Sequence, residues 1–449
     1  MMQMHRREFL KLAAAVPVIP LFPRQQRTAA DPWDDTAAIL SRIKEPVFPN
    51  RDFPITNYAG DINAAINACN AAGGGRVVVP AGSFQTGPIR LKSKVNLHLS
   101  EGAVLKFSTN PKDYLPVVFT RFEGTELMNY SPFIYALDQE DIAITGPGTV
   151  DGQADSTHWW DWTRNAARAR LTGMGAAGTP VAERVFGEGG FLRPNFVQPY
   201  RCRNVFIEGI TVKNSPMWEL HPVLCSNVII RGVTIDSHGP NNDGCDPESC
   251  RDVLIEKCTF NTGDDCIALK SGRNNDGRRL ATPIENVIVR DCVMKDGHGG
   301  VTIGSEISGG ARNIFAERCM MDSPQLDRAL RLKSNSIRGG IIERVFMRDV
   351  TVGQVKEAVV SIDFNYEEGD NGDFPPVVRN IEVRNVTSSK SQYALYLRGF
   401  PRAVITDVRL KDCKLENVAK PDTIEHVKDI ALSNVSINGR IVNQTITRD

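Results

Sequence analysis

The sequence predicts an all-β protein: a single-domain right-handed parallel β-helix, a solenoid of stacked coils, with a short N-terminal capping helix. Three observations carry that prediction. Nine ten-residue segments repeat along residues 203–437, each with Val or Ile in third place and Val, Ile or Cys in eighth place. Within each, apolar and polar residues alternate with the period of a strand. Just ahead of the first coils lies a segment with helical periodicity instead.

The chain has 449 residues, enough for one large domain. Its first elements read as an address. "HRREFLK" (5–11) sets two arginines before a short apolar run interrupted by Pro17 and Pro20. A membrane-spanning helix needs roughly 20 apolar residues, so this run is too short to be one. It resembles a twin-arginine export signal, which carries folded proteins across a bacterial inner membrane. Residues 1–30 are therefore set apart from the fold, with "RTAADP" (27–32) as the cleavage region. The expected location is periplasmic or secreted, with residues 31–449 forming the β-helix domain.

In "DINAAINACNAAGGG" (61–75), Ile62, Ala65, Ile66 and Cys69 share one helical face. Asp61 can cap the start and Gly73 can end it. A β-helix has open ends, and such a helix would cover the first coil. Residues 76–108 then supply the first strands. A long insertion follows, holding "HWWDW" (158–162) and a Gly/Ala-rich stretch (172–190). It is expected as loops outside the barrel, where Trp159, Trp160 and Trp162 either stack on a ligand ring or anchor their own segment.

The repeated segments begin "RNVFIEGITV" (203–212), "SNVIIRGVTI" (226–235) and "RDVLIEKCTF" (251–260), and run to "KDIALSNVSI" (428–437), spaced 22 to 36 residues apart. Each reads as strand, bend, strand, and none can bury its apolar side except by stacking on its neighbours. Cys258, Cys292, Cys319 and Cys413 occupy the eighth place and are expected reduced, buried and packed as small hydrophobes. Asparagines in second place (Asn204, Asn227, Asn286, Asn313, Asn380) are expected to form a structural ladder.

The segments that follow the repeats also align: "NDGCDPES" (242–249), "DDCIALKS" (264–271), "HGGVTIGS" (298–305) and "DRALRLKS" (327–334). Equal phase in stacked coils means neighbours about 4.8 Å apart. Asp243 then lies below Asp265, and His298 above Asp264. Arg331 and Lys333 sit further along the strand two coils up, on one side of it. Lys270, Arg273 and Arg338 are further candidate binding cations, while Arg278 and Arg279 read equally well as part of a solvated loop.

What chemistry suits this group? Lysine plus arginine equals aspartate plus glutamate, 53 each, which argues against a nucleic-acid binder working through a broad basic face. Calcium prefers several oxygens from one loop without nearby cations. No zinc-type His/Cys spacing, phosphate loop or nucleophile motif is present, and Cys266 is expected to face inward by alternation. Clustered carboxylates that force each other's pKa values apart suit cleavage of glycosidic bonds. Two cations beside them suit an anionic sugar.

"NND" (241–243), "GDD" (263–265), "GHG" (297–299) and "RLK" (331–333) resemble the four signatures of polygalacturonases, glycoside hydrolase family 28. The resemblance runs through most of residues 55–440. Asn242 stands where Thr is usual and Leu332 where Ile is usual. The resemblance implies that Asp264 is the general acid and that Asp243 and Asp265 are the bases activating water, with inversion at the anomeric carbon. It implies that His298 supports the acid, and that Arg331 and Lys333 hold a galacturonate carboxylate. It implies no metal and no organic cofactor. The expected partner is galacturonan, with no nucleic acid, no membrane after signal removal, and a monomeric chain. Exo action is the expected mode, because the insertion can wall off one end of a cleft. The alternatives are a hydrolase of rhamnogalacturonan or another decorated pectin, a calcium-dependent lyase on the same fold, and a non-enzymatic adhesin or sugar-binding stalk.

Overall fold

The computed structural model describes residues 31–449, so the expected export signal lies outside the described residues. The repeats stack in parallel as their periodicity demands. Val205 pairs with Val228, Val228 with Val253, Val253 with Val287, Val287 with Ile314, Ile314 with Val345 and Val345 with Ile381. Each is the third residue of its repeat, and each is buried in the continuous interior core. Burying one such side chain contributes roughly 1.5–3 kcal/mol, so a column of them outweighs any single departure.

The asparagine ladder forms. Asn204, Asn227, Asn286, Asn313 and Asn380 all adopt left-handed backbone, with φ between 54 and 57°, which asparagine tolerates better than most residues. Their amides link successive coils: Asn227 Nδ2 donates to Asn204 Oδ1 at 2.7 Å, and Asn313 Nδ2 to Asn286 Oδ1 at 2.9 Å.

All ten cysteines are buried and unpaired, as expected for the four in eighth place. Three that the repeat did not assign form a second column: the Cys202 amide donates to Cys225 Sγ at 3.3 Å, and the Cys225 amide to Cys250 Sγ at 3.4 Å.

Both ends are closed. Helix α1 (Asp35–Arg42) lies outside the barrel, and helix α2 (Ile62–Ala71) is the expected cap. Asp61 accepts the Ala64 amide at 2.9 Å, and Ile62, Ala65, Ile66 and Cys69 are buried. Gly73, at φ +90°, lets the chain leave the helix. At the far end Val427–Ile437 pairs antiparallel with Arg440–Arg448.

One feature has no sequence signal. An outward-facing apolar stripe (Phe206, Ile229, Leu254, Ile288, Phe315, Phe346) is covered by Trp33, Ile39 and Ile43 of the N-terminal segment. Ion pairs Arg344–Asp35 and Arg42–Asp252, both at 2.6 Å, hold that strap across several coils.

Two segments expected as loops are more ordered. The insertion contributes helix α3 (Ala167–Ala176) and a strand, Val185–Phe186, that pairs with a hairpin formed by Val118–Phe122 and Thr125–Asn129. The cationic loop after residue 273 is helix α4 (Asn274–Leu280), which packs on α3.

The site rests on a six-stranded parallel sheet built from Ile267–Leu269, Val301–Ile303, Arg328–Lys333, Ala358–Asp363, Tyr393–Arg398 and Thr423–Glu425.

Candidate active site

Register decides which side chains meet. Cys245 pairs with Ile267, Ile267 with Val301, and Val301 with Leu330. Counting back along each strand, Asp243 falls opposite Asp265, and Asp264 opposite His298. The loops between repeats do not shift the phase. The carboxylates of Asp243, Asp264 and Asp265 offer oxygens within 4.8 Å of one another.

Three glycines make the approach possible. A Cβ on Gly263 would lie 2.5 Å from the Gly239 carbonyl, and one on Gly297 2.7 Å from the Asp264 carbonyl. A Cβ on Gly299 would sit 2.2 Å from Thr302 Oγ1 and 3.0 Å from Asp265 Oδ1. The absence of a side chain at Gly299 leaves the space through which Arg331 reaches Asp265 from two coils away.

The three aspartates stand in different surroundings. Asp265 is fully buried, and its oxygens are all engaged: Oδ1 accepts Thr302 Oγ1 at 2.9 Å and Arg331 Nη1 at 3.1 Å, and Oδ2 accepts Lys333 Nζ at 2.8 Å. Burial alone would raise its pKa, but Lys333, Arg331 and Lys270 outweigh burial and hold it well below the usual carboxylate range. Asp243 shows the reverse. Burial, then the nearby Asp246 and Asp264 carboxylates, push it well up, with Lys270 only partly offsetting them. Asp264 faces the cleft, and its Oδ1 lies 2.9 Å from His298 Nδ1. That hydrogen bond raises the His298 pKa, against the opposing effect of partial burial. A cluster of three carboxylate oxygens suggests a cation site, yet both Asp265 oxygens are already occupied by protein donors.

The cleft has a volume of about 160 Å³ and is lined by Asp243, Asp264, His298, Arg331, Lys333 and Tyr366, among others. The insertion contributes Arg168 to the cleft lining, beside Glu123 and Glu367. Arg168 of α3 donates through Nε to Glu123 Oε2 at 2.6 Å, and its Nη2 lies 3.5 Å from Glu367 Oε1.

The other predicted cations are placed differently. Lys270 borders the cleft but is 2% exposed, with Nζ donating to the Gly304 carbonyl at 2.9 Å and to Glu306 Oε2 at 3.1 Å. Arg273 and Arg338 do not line the cleft. Arg273 is buried between Glu123 (2.9 Å) and Glu306 (3.2 Å), and Arg338 donates to Glu367 at 2.6 Å. They hold the acidic wall in place rather than meeting a ligand, because a buried guanidinium needs a buried counter-charge. Arg278 and Arg279 sit on α4 and contact the Ile337 carbonyl and Glu126. The tryptophans anchor their segment: Trp159 is buried against Tyr114 and Phe133, and Trp160 Nε1 donates to the Ser215 carbonyl. Cys266 is buried, as alternation predicts.

Sequence reasoning missed Glu123, Arg168, Asp246, Glu306, Tyr366 and Glu367. Asp246 lies inside an aligned segment and Glu306 directly follows one, so both were within reach of the phase argument. Arg168 and Glu123 arrive from outside the repeat and carry no periodic signal.

The sequence model of glycosyl hydrolases family 28 matches residues 69–437. The chain belongs to that family. It is therefore a glycoside hydrolase. Among solved structures, an exopolygalacturonase from Thermotoga maritima is 43% identical and superposes with a TM-score of 0.88, covering 93% of this chain and 99% of its own. A probable polygalacturonase of Vitis vinifera is 28% identical over 80% of this chain and 70% of its own length. An exo-poly-alpha-D-galacturonosidase of Dickeya chrysanthemi is 25% identical over 84% and 67% respectively.

Proposed function

We propose that this family 28 hydrolase is an exo-acting polygalacturonase that cleaves α-1,4-galacturonosyl linkages with inversion. One observation carries the chemistry: Asp264, partnered by His298, faces a cleft that Arg331 and Lys333 also line. Asp264 protonates the leaving oxygen. Asp243 and Asp265 flank the attacking water, and the two cations draw the galacturonate carboxylate to the cleaved bond. The wall made by Glu123, Arg168 and Glu367 supports exo action, since a chain that cannot pass through must be trimmed from its end. The exopolygalacturonase likeness points the same way. Carboxyl groups in inverting enzymes generally stand about 6.5–9.5 Å apart, so the close oxygens here make inversion a point for direct measurement. The two arginines of the N-terminal segment support export to the periplasm or medium, which cell fractionation would test.

Defined oligogalacturonides incubated with wild type and Asp264→Asn, with reducing ends and ultraviolet absorbance followed together, test the proposal. Stepwise monomer release without absorbance, lost in the variant, is expected. Mixed oligomers would overturn the exo mode, and ultraviolet-absorbing products would overturn hydrolysis. Proton NMR of the first product anomer decides the stereochemistry.

A further inference from the structure

Behind the cleft lies a pair of carboxyls that the scheme above does not use fully. Asp246 is fully buried, and among the described residues neither of its oxygens finds a hydrogen-bond donor; Asp243 Oδ1 likewise has none. The two carboxyls sit side by side at one ammonium, Lys270 Nζ. Two buried carboxylates in contact cannot both ionise without a strong counter-charge. A proton between them removes both difficulties, since it turns one orphaned acceptor into a donor for the other.

Lys270 stands beside both members of this pair. Its Nζ stands 3.9 Å from Asp243 Oδ2 and 3.9 Å from Asp246 Oδ1, and 4.7 Å from the centre of the Trp218 ring. It is also bound to Glu306, which Arg273 holds from the other side. One ammonium therefore serves a carboxyl pair and a paired glutamate, which leaves about one negative charge for the pair to carry. Of the two carboxyls, Asp243 lines the cleft and Asp246 does not. The charge belongs on the side that meets water and substrate.

We propose that Asp243 and Asp246 form one base unit holding a single proton between them, with Lys270 as its fixed counter-ion, so that Lys270 and Asp246 are positioning residues for the base. This rests on the hydrolytic reading of the site. In the reaction the water oxygen bonds to the anomeric carbon as the glycosidic C–O bond breaks. The Asp264 proton passes to the leaving oxygen, and a water proton passes to Asp243. The unit then holds two protons and no charge, and Asp264 is ionised. Loss of one proton from the unit to solvent and uptake of one by Asp264 restore the resting state. Lys270 thus differs from Arg331 and Lys333: it acts through the base and does not meet the sugar.

The other charges facing the unit remain in place when it is altered. Asp243 also senses Asp264, Asp265, Glu219 and Arg193, and Asp246 senses Asp264 and Asp265. The acid limb of the kcat/KM–pH profile reads the unit, because activity requires its singly charged form. Lys270→Met should move that limb to higher pH by about one unit or more, the scale of a neighbouring charge, and Lys270→Arg should return most of it. Asp246→Asn, which keeps a donor, should move the limb upward less than Asp246→Leu, which keeps none. A limb that stays in place in Lys270→Met while kcat falls, or equal movement in the two Asp246 variants, would overturn the proposal.

An infrared comparison without substrate separates this idea from the choice of substrate and covers a variant that folds poorly. At neutral pH the protonated-carboxyl absorption of wild type should decrease in Asp246→Asn, with Glu219→Gln as the control for the other buried orphan acid. An unchanged absorption in Asp246→Asn would overturn the shared proton. Inactivity of wild type on galacturonan would instead overturn the proposed function alone.

Discussion

Lys333 reaches across two coils to donate to Asp265 Oδ2 at 2.8 Å, and the carboxylate it holds is fully buried. The pair explains how Asp265 stays ionised inside the protein. It also means that a residue expected to hold substrate is already occupied in the free enzyme. Substrate carboxylate would therefore share cations that Asp265 is using.

Removing one partner of a buried pair strands the other. Lys333→Met should lower stability by about 3–5 kcal/mol, the usual cost of an uncompensated buried charge, measured by denaturant unfolding. The sign with pH follows from the direction of the shift. Because the folded Asp265 pKa is depressed, its stabilising contribution is present above the unfolded carboxylate pKa, about 3.9, and is lost as pH falls through the folded value. The difference between wild type and Lys333→Met should be full near neutrality and shrink in acid.

Asp264→Asn keeps the shape of the acid and removes its proton. Its kcat should fall by at least roughly a hundredfold with the unfolding midpoint near that of wild type. Steady-state kinetics on oligogalacturonides and thermal melting check both halves.

His298 should titrate above its ordinary pKa in wild type, because Asp264 holds its Nδ1 proton. Its contribution to stability is present below the unfolded value of about 6.5 and is lost as pH rises through the raised folded value. In Asp264→Asn the elevation should largely disappear. Histidine ring NMR shifts followed across pH decide this.

Gly299→Ala would place a methyl group 2.2 Å from Thr302 Oγ1 and against Asp265. Thr302 and Arg331 must then give way, and Asp265 loses donors. A stability loss of about 1–3 kcal/mol from overpacking should accompany a fall in kcat larger than that of Gly173→Ala, an exposed site with open space around it.

Arg168→Ala should open the walled end of the cleft, since Arg168 bridges Glu123 and Glu367. Oligomers longer than monomer should appear among the early products on polygalacturonate, resolved by chromatography. A product profile still confined to monomer would show that the wall stands without Arg168.

Much of this was legible before any coordinates. A repeat whose third residue is always Val or Ile implies stacked coils, and the ungapped alignment of four following segments places Asp243, Asp264, Asp265, His298, Arg331 and Lys333 together. The argument works because in a β-helix a neighbour in space is the same phase one repeat away. Helix α2 was equally readable from its cap and its apolar face. Local pattern failed wherever a segment left the repeat. The strap that begins at Trp33, the hairpin that carries Glu123, and α3 with Arg168 have no periodic partner to reveal where they dock. Arg273 and Arg338 were misplaced for a related reason: a sequence shows that a side chain is cationic but not whether an acid has already claimed it.

The sequence by itself determined the coil, its register and the six side chains that the register brings onto one face, since repeat phase is a one-dimensional property. Only the tertiary structure decided the charge states and the shape of the cleft. It buried Asp265 against two cations, left Asp246 without a donor beside Asp243, and set Arg168 between Glu123 and Glu367. Those outcomes depend on burial and on contacts between segments far apart in the chain, and desolvation has no signature in residue order.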